Sequence, residues 1–188
     1  SHWTNTHSQA VSALAFKLGS LAGLDRDTCF KLRISGYLHD IGKIAVPSEI
    51  LEKPSHLTED EYDVMKEHAL FTFMILKDID GLGDIITWAS SHHEKHDHSG
   101  YPMHLTEEKF TLPMEILAYA DIFTALAEDR PYRDAMTKEE ILHELKHLAG
   151  KKLDATVYAL IVKHFDILYH LQAEVHNRVD HTEYSLRH

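Results

Sequence analysis

Histidine is the residue this sequence over-uses: 17 of 188 positions carry it. Some of these imidazoles stand beside acids in apolar surroundings, where metal chemistry becomes a candidate. His39-Asp40 lies inside Gly36-Tyr37-Leu38-His39-Asp40-Ile41-Gly42-Lys43. A carboxylate in such a setting is costly unless it is paired or bound to a cation. The same run also fits an ordinary helix end, with Asp40 in solvent and Gly42 as the C-cap. His92-His93 is a second adjacent pair. Neighbours on a helix diverge by about 100°, so two adjacent ligands suit two cations a few ångströms apart better than one. A carboxylate such as Asp40 can bridge such a pair with its two oxygens. Viewed alone, His92-His93 also fits a pair of surface histidines ahead of Glu94-Lys95. Asp121 is the one acid in Ile116-Leu117-Ala118-Tyr119-Ala120-Asp121-Ile122-Phe123. Burying it unpaired costs several kcal/mol, so a functional acid is favoured over a narrow polar face shared with Glu115 and Thr124. His68 alone fits a helix-surface or satisfied core histidine better than a ligand, His7 alone is as ambiguous, and each gains weight only from the ensemble. Nitrogen and oxygen donors without thiolate suit iron, manganese, nickel, cobalt or zinc.

Such a set needs elements to bring it together, and the hydrophobic pattern predicts helices almost throughout. Val11, Leu14, Ala15, Leu18 and Leu21 recur at three- and four-residue steps. A second helix is expected from Asp25 to Ile41. Thr58 with Glu61 reads as a capping box opening a helix to about Lys77. Asp84 opens another, expected to reach His96. Pro113 starts a long one through Ala127. Thr137 with Glu140 repeats the capping-box pattern, and Gly150 ends that helix. Asp154 begins a last core helix through Val157, Leu160, Ile161 and Phe165. Ile44-Ala45-Val46, followed by Pro47, reads as a connector rather than a strand. The stretch from Asp97 to Leu112 is expected to be irregular. The expectation is an all-α bundle of about seven helices, a domain over 1–173 and a polar tail over 174–188.

The bulk numbers narrow the function. A formal net charge of −11 argues against long nucleic acid as a partner, though local cations can still receive a small anion. No apolar run approaches the roughly 20 residues of a membrane helix. No signal peptide is visible at the start, which reads Ser1-His2-Trp3 without Met, as a fragment of a longer chain would. Cys29 is the sole cysteine, which fits a reducing, cytoplasmic setting.

Taken in order, the motifs are His7, His39-Asp40-Ile41-Gly42-Lys43, His68, His92-His93-Glu94, Ser99-Gly100-Tyr101-Pro102, Asp121 and Asp129-Arg130-Pro131-Tyr132-Arg133. This order closely resembles the HD-GYP family, a branch of the HD phosphohydrolases, over roughly residues 7 to 170. The resemblance implies an HD-type helical bundle around a dinuclear centre of divalent transition metals, iron or manganese by family habit. It implies that Asp40 bridges, and that His39, His68, His92, His93 and Asp121 are the other ligands, with His7 as a seventh. It places Lys43 on a substrate phosphate, Tyr101 beside a base, and Arg130 and Arg133 on a second phosphate or a guanine. Asp40 and Lys43 would be the catalytic pair. The implied activity is hydrolysis of cyclic di-GMP to linear pGpG or GMP, by a water made acidic between two cations. The implied partners are a cyclic dinucleotide and a GGDEF-type cyclase or an upstream receiver or sensor domain.

Three positions depart from the family pattern. Trp3 stands where members with three metals carry a glutamate, so two metals are expected. His98 replaces the glycine before Ser-Gly-Tyr-Pro, where positive φ favours glycine. Thr124 replaces a common aspartate. The departures at His98 and Thr124 leave open a weak or inactive signalling module that binds a cyclic dinucleotide or a partner protein. A general nucleotide phosphohydrolase is the third reading, and the Gly-Tyr-Pro and Arg-Pro-Tyr-Arg segments speak against it. His96, His98 and His104 are read as solvated loop histidines, and His143 with His147 as an adventitious pair.

Overall fold

Local capping chemistry sets the starts of four of the helices. The structure, a computed structural model, describes residues 2–130 and 133–186, with side chains for 5–130 and 133–178. Helix α1 (His2–Leu21) leads to α2 (Arg26–Leu38), where the Asp25 carboxylate accepts the Thr28 N–H at 2.8 Å. A 3-10 turn over Ile41–Ala45 and the short α3 (Ser48–Leu51) precede α4 (Glu59–Leu76). Thr58 and Glu61 form the expected box: the Glu61 N–H donates to Thr58 Oγ1 and the Thr58 N–H to Glu61 Oε2. Then come α5 (Asp84–Ser90), α6 (Leu112–Ala127) and α7 (Lys138–Leu148), the last with the Thr137–Glu140 box. The Asp154 carboxylate caps α8 (Ala155–Lys163), and α9 (Phe165–Leu186) follows directly.

Among the described residues there are nine α-helices, against about seven expected. The surplus comes from α3 and from a break at His164, where φ is −116° and the expected last core helix divides into α8 and α9. No strand forms among the described residues, only isolated bridges at Arg130–Arg133 and Ala149–Leu153. No helix among them is long and apolar enough to cross a membrane.

Helix α6 is the axis of the core, buried on almost every side from Met114 to Phe123. Its run of Ile116, Leu117, Ala118, Tyr119 and Ala120 leaves no solvent face, which is why a helix this apolar must sit inside. Helix α1 packs Val11, Leu14 and Leu18 into the same core, α7 adds Ile141 and Leu145, and α8 adds Val157 and Ile161. Each such side chain contributes about 1.5–3 kcal/mol on full burial. Tyr119 keeps its hydroxyl satisfied by donating to the Asp154 carbonyl at 2.8 Å. Helix α1 also rests on α2 and α9, while α4 packs on the 3-10 turn and on α5. Helix α9 runs unbroken through residue 173. Past that point, His176 donates from Nε2 to Glu128 at 3.1 Å, tying the start of the expected tail to the body.

Candidate metal centre

The centre is assembled where the ends of α2 and α5 meet the middles of α1, α4 and α6. His39 is the residue after α2, and Asp40 opens the 3-10 turn. That turn lies on α4 because Gly42 has no side chain. A Cβ there would come within 1.9 Å of the His68 carbonyl oxygen and 2.5 Å of the Thr72 nitrogen. Thr72 locks the contact: its hydroxyl accepts the Gly42 N–H at 3.0 Å and donates to the His39 carbonyl at 3.1 Å. The glycine therefore acts as a spacer that lets Asp40 meet His68, rather than as a C-cap.

Helix α5 ends at Ser90, short of the expected His96, and this corrects the geometry of the histidine pair. His92 and His93 lie in the turn beyond the helix, where side chains are not forced apart by the helical step. Their ring centroids are 4.0 Å apart and both rings face the centre.

Three imidazoles share one orientation. The Nδ1–H of His39 donates to the Gly36 carbonyl at 2.6 Å, that of His68 to Met65 at 2.6 Å, and that of His92 to Ala89 at 2.7 Å. A carbonyl can only accept, so Nδ1 carries a proton, and in the neutral ring Nε2 presents a lone pair inward. All three Nε2 atoms are buried without a hydrogen-bond partner. Leaving three buried polar atoms unpaired costs about 1–3 kcal/mol each, and all three point at one carboxylate. Asp40 Oδ1 lies 3.5 Å from His68 Nε2 and 3.9 Å from His92 Nε2, while Oδ2 lies 3.5 Å from His39 Nε2 and 2.6 Å from Lys43 Nζ. Asp121, from the middle of α6, stands 3.5 Å from His39 Nε2 and 2.9 Å from His7 Nε2.

Three groups of donor atoms are close enough to share an ion: His68, His92 and His93; His39, Asp40 and His92; and His7, His39 and Asp121. The first and third have no member in common, and Asp40 lies between them. The seven residues expected as ligands from the sequence are thus brought to one place. Burial holds His68 and His92 below the ordinary imidazole value and takes His93 to about 3, so these rings stay neutral. Burial opposes the charged form of His7 too, but hydrogen bonds to Asp121 and Glu128 outweigh it and lift His7 to about 9. Burial would likewise raise Asp40, yet His39 and Lys43 hold its carboxyl well below the usual range. Three buried imidazole nitrogens without a hydrogen-bond partner, beside two ionised acids, fit divalent metal ions.

Comparison with known proteins gives the family. The HD domain family profile matches residues 1–157. The chain belongs to the HD domain family. Its motif order is that of the HD-GYP branch. A 3′3′-cGAMP-specific phosphodiesterase 1 of Vibrio cholerae is 37% identical over 172 residues, covering 91% of this chain and 40% of that protein. A cyclic di-GMP phosphodiesterase of Thermotoga maritima is 35% identical over 164 residues, covering 85% of this chain and 44% of that protein. The chain thus spans less than half the length of these curated relatives. The fold matches that of Bd1817, an HDGYP protein from Bdellovibrio bacteriovorus, with TM-score 0.70 at 18% identity, covering 87% of this chain and 52% of that one.

The residues expected to face substrate are placed unevenly. Lys43 stands on Asp40 at the rim, with its side chain 27% exposed. Tyr101 stacks on His93 with centroids 4.8 Å apart, and burial pushes its hydroxyl above the ordinary range. The loop that carries it is held by Gly100, whose Cβ would come within 2.3 Å of the His93 carbonyl. Arg130 is ion-paired with Glu128. Arg133 stands apart from the centre: its guanidinium donates to the carbonyls of Ala125, Leu126 and Asp134, closing the C-terminal end of α6. Pro131 and Tyr132 lie outside the described residues, as does the side chain of Trp3. Of the loop histidines, His96 is no solvated bystander but pairs with the buried Glu115. His98 adopts φ 61°, so the histidine does take the left-handed backbone that glycine would favour. Thr124 is fully buried, and its hydroxyl is unpartnered. His143 and His147 face each other with Nε2 atoms 3.0 Å apart on the exposed side of α7.

Two acids have roles that the sequence did not assign. Glu94 is fully buried and accepts the N–H groups of Met103 and Leu105 at 2.6 and 3.0 Å, bracing the Tyr101 loop. Glu128 is buried and accepts from His7 Nδ1 at 2.9 Å. Its only local signal is the apolar Ala125-Leu126-Ala127 just before it.

Proposed function

We propose that this HD domain is a metal-dependent phosphodiesterase that hydrolyses cyclic di-GMP, to linear pGpG or on to GMP. The observation that carries the reading is the convergence of three unpartnered, buried imidazole nitrogens on one carboxylate, Asp40, flanked by two disjoint donor triads. One cation would be held by His68, His92 and His93, the other by His7, His39 and Asp121, with Asp40 between them. Bound there, the pair supplies a Lewis acid for a phosphoryl oxygen and an acidified water. The side chains do the rest. Asp40 aims one oxygen at each half of the centre. Lys43, anchored on Asp40, offers its ammonium to a phosphate arriving at the rim. Tyr101, stacked on His93, offers an aromatic edge and face to a base. The relatives in Vibrio cholerae and Thermotoga maritima, named for 3′3′-cGAMP and cyclic di-GMP, support a cyclic dinucleotide as the substrate class.

The test is turnover by the manganese- or iron-loaded protein. Cyclic di-GMP and 3′3′-cGAMP are supplied in parallel, products are separated by chromatography, and metal is counted by elemental analysis. Two ions per chain and a faster rate on cyclic di-GMP are expected. Asp40→Ala should lose about a hundredfold or more in rate together with bound metal, since even supporting residues of metal sites are worth about 10–100-fold. Full rate and full metal content in that variant would refute the assignment. Tight nucleotide binding without turnover in the wild type would favour a signalling module instead.

A further inference from the structure

His7 is held differently from its fellow ligands. His39, His68 and His92 take their orientation from carbonyls three residues back, so their poses come with their own backbone. The Nδ1 of His7 meets a carboxylate 121 residues away, Glu128 Oε1, at 2.9 Å. Glu128 is 4% exposed and sits just past the end of α6. A buried carboxylate is costly to keep, and this one is kept by three partners from different parts of the chain. Besides His7 they are Arg130 on Oε1 and, on Oε2, His176 of α9 at 3.1 Å. His176 is itself fixed one turn back by Gln172, which is buried. A carboxylate behind a ligating imidazole fixes the ring and raises its basicity as a donor.

We propose that Glu128 is the positioning residue for one cation site only, the one bounded by His7, His39 and Asp121, and that His176 makes that site depend on α9. The inference rests on the two-cation reading above and adds an asymmetry to it. The His68, His92 and His93 site is built from local backbone contacts and the ring stacking around Tyr101. The His7 site is built through a relay, α9 to Glu128 to His7, and Arg130, paired with Glu128, belongs to that relay.

The test is titration of Mn²⁺ into metal-free wild type, Glu128→Gln and His176→Gln by calorimetry, with elemental analysis after dialysis. His7→Ala identifies which of the two affinities belongs to the His7 site. Glu128→Gln should weaken that affinity by about 10–100-fold and leave the other within about twofold. His176→Gln should weaken the same one by less. Equal weakening of both sites, or no change in either, would overturn the proposal. If Glu128→Gln does not fold, His176→Gln decides alone, and unchanged affinity at the His7 site overturns it. A wild type that binds two ions and shows this asymmetry but cleaves no cyclic dinucleotide would sink the functional reading and leave this inference standing. A wild type that binds no ion pair would end both.

Discussion

At the scale of single residues, the centre is a set of proton sites that cations would claim, and that gives the metal-free protein a specific pH response. His68, His92 and His93 are held below the ordinary value of 6.5 by burial, so the unfolded chain takes up their protons first as pH falls. Their contribution to stability is complete above about pH 6.5 and is lost in acid. His7 runs the other way. Its value is raised from 6.5 to about 9, so its contribution is complete below 6.5 and is lost as pH rises through 9. His39, raised by Asp40 and Asp121 against its burial, has the same sign as His7. The metal-free protein should therefore melt highest near pH 6.5. The decline towards pH 9 should be on the order of 1–3 kcal/mol, or about 2–4 °C per kcal/mol for a chain of this size. Saturating Mn²⁺ should abolish the alkaline decline, because the ion replaces the proton on His7. Melting curves with and without chelator check this, and a metal-free curve that keeps rising to pH 9 would contradict it. Asp121 was legible in the sequence because a lone acid inside an apolar helix has few other reasons to be there. Glu128 was not, because it stands at a helix end beside Asp129 and Arg130, and only the tertiary packing of α1 and α9 buries it.

At the scale of elements, the centre depends on where helices stop. Capping residues act within four positions, so Thr58, Thr137 and Asp154 announce their helices in the sequence. The end of α5 has no such local mark. Polar residues simply continue past Ser90, and what ends the helix is the loop beyond it, pinned where the Tyr101 N–H meets the His93 carbonyl at 3.2 Å and the His96 N–H meets the Lys152 carbonyl at 2.9 Å. The 3-10 turn after α2 is set by contact with α4, and there Gly42 gives a direct handle. Gly42→Ala places a methyl into the backbone of His68 and Thr72, so α4 must retreat. The expected cost is about 1–3 kcal/mol, the range for overpacked interiors. Because α4 carries His68 away from Asp40, metal content should fall with it. Denaturant unfolding of the metal-free protein and elemental analysis together check this. A variant that loses stability but still binds two ions at wild-type affinity would show that the turn and α4 are not coupled through this contact.

At the scale of the molecule, the open question is where the working unit ends. Composition alone suggests a domain to residue 173 and a polar tail. Helix α9 instead continues through that point, with His176 on Glu128 and Gln172 buried beneath it. Polarity misleads here because α9 needs only one inward contact per turn, and a histidine reaching a buried acid makes that contact without any apolar residue to advertise it. A chain ending at Ala173 keeps Phe165 and Leu168, the apolar anchors of α9. It loses the charged hydrogen bond to Glu128, a class of contact worth about 1.5–3 kcal/mol. The truncated protein should therefore fold and should melt about 3–12 °C lower. It should also bind the His7-side ion more weakly, as His176→Gln does, with the other ion unaffected. If truncation lowers melting but matches the full chain in both affinities, the last turns of α9 serve packing alone. If it matches the full chain in melting and in binding, the domain does end at 173, and the carboxylate behind His7 is held well enough by Arg130 and α1.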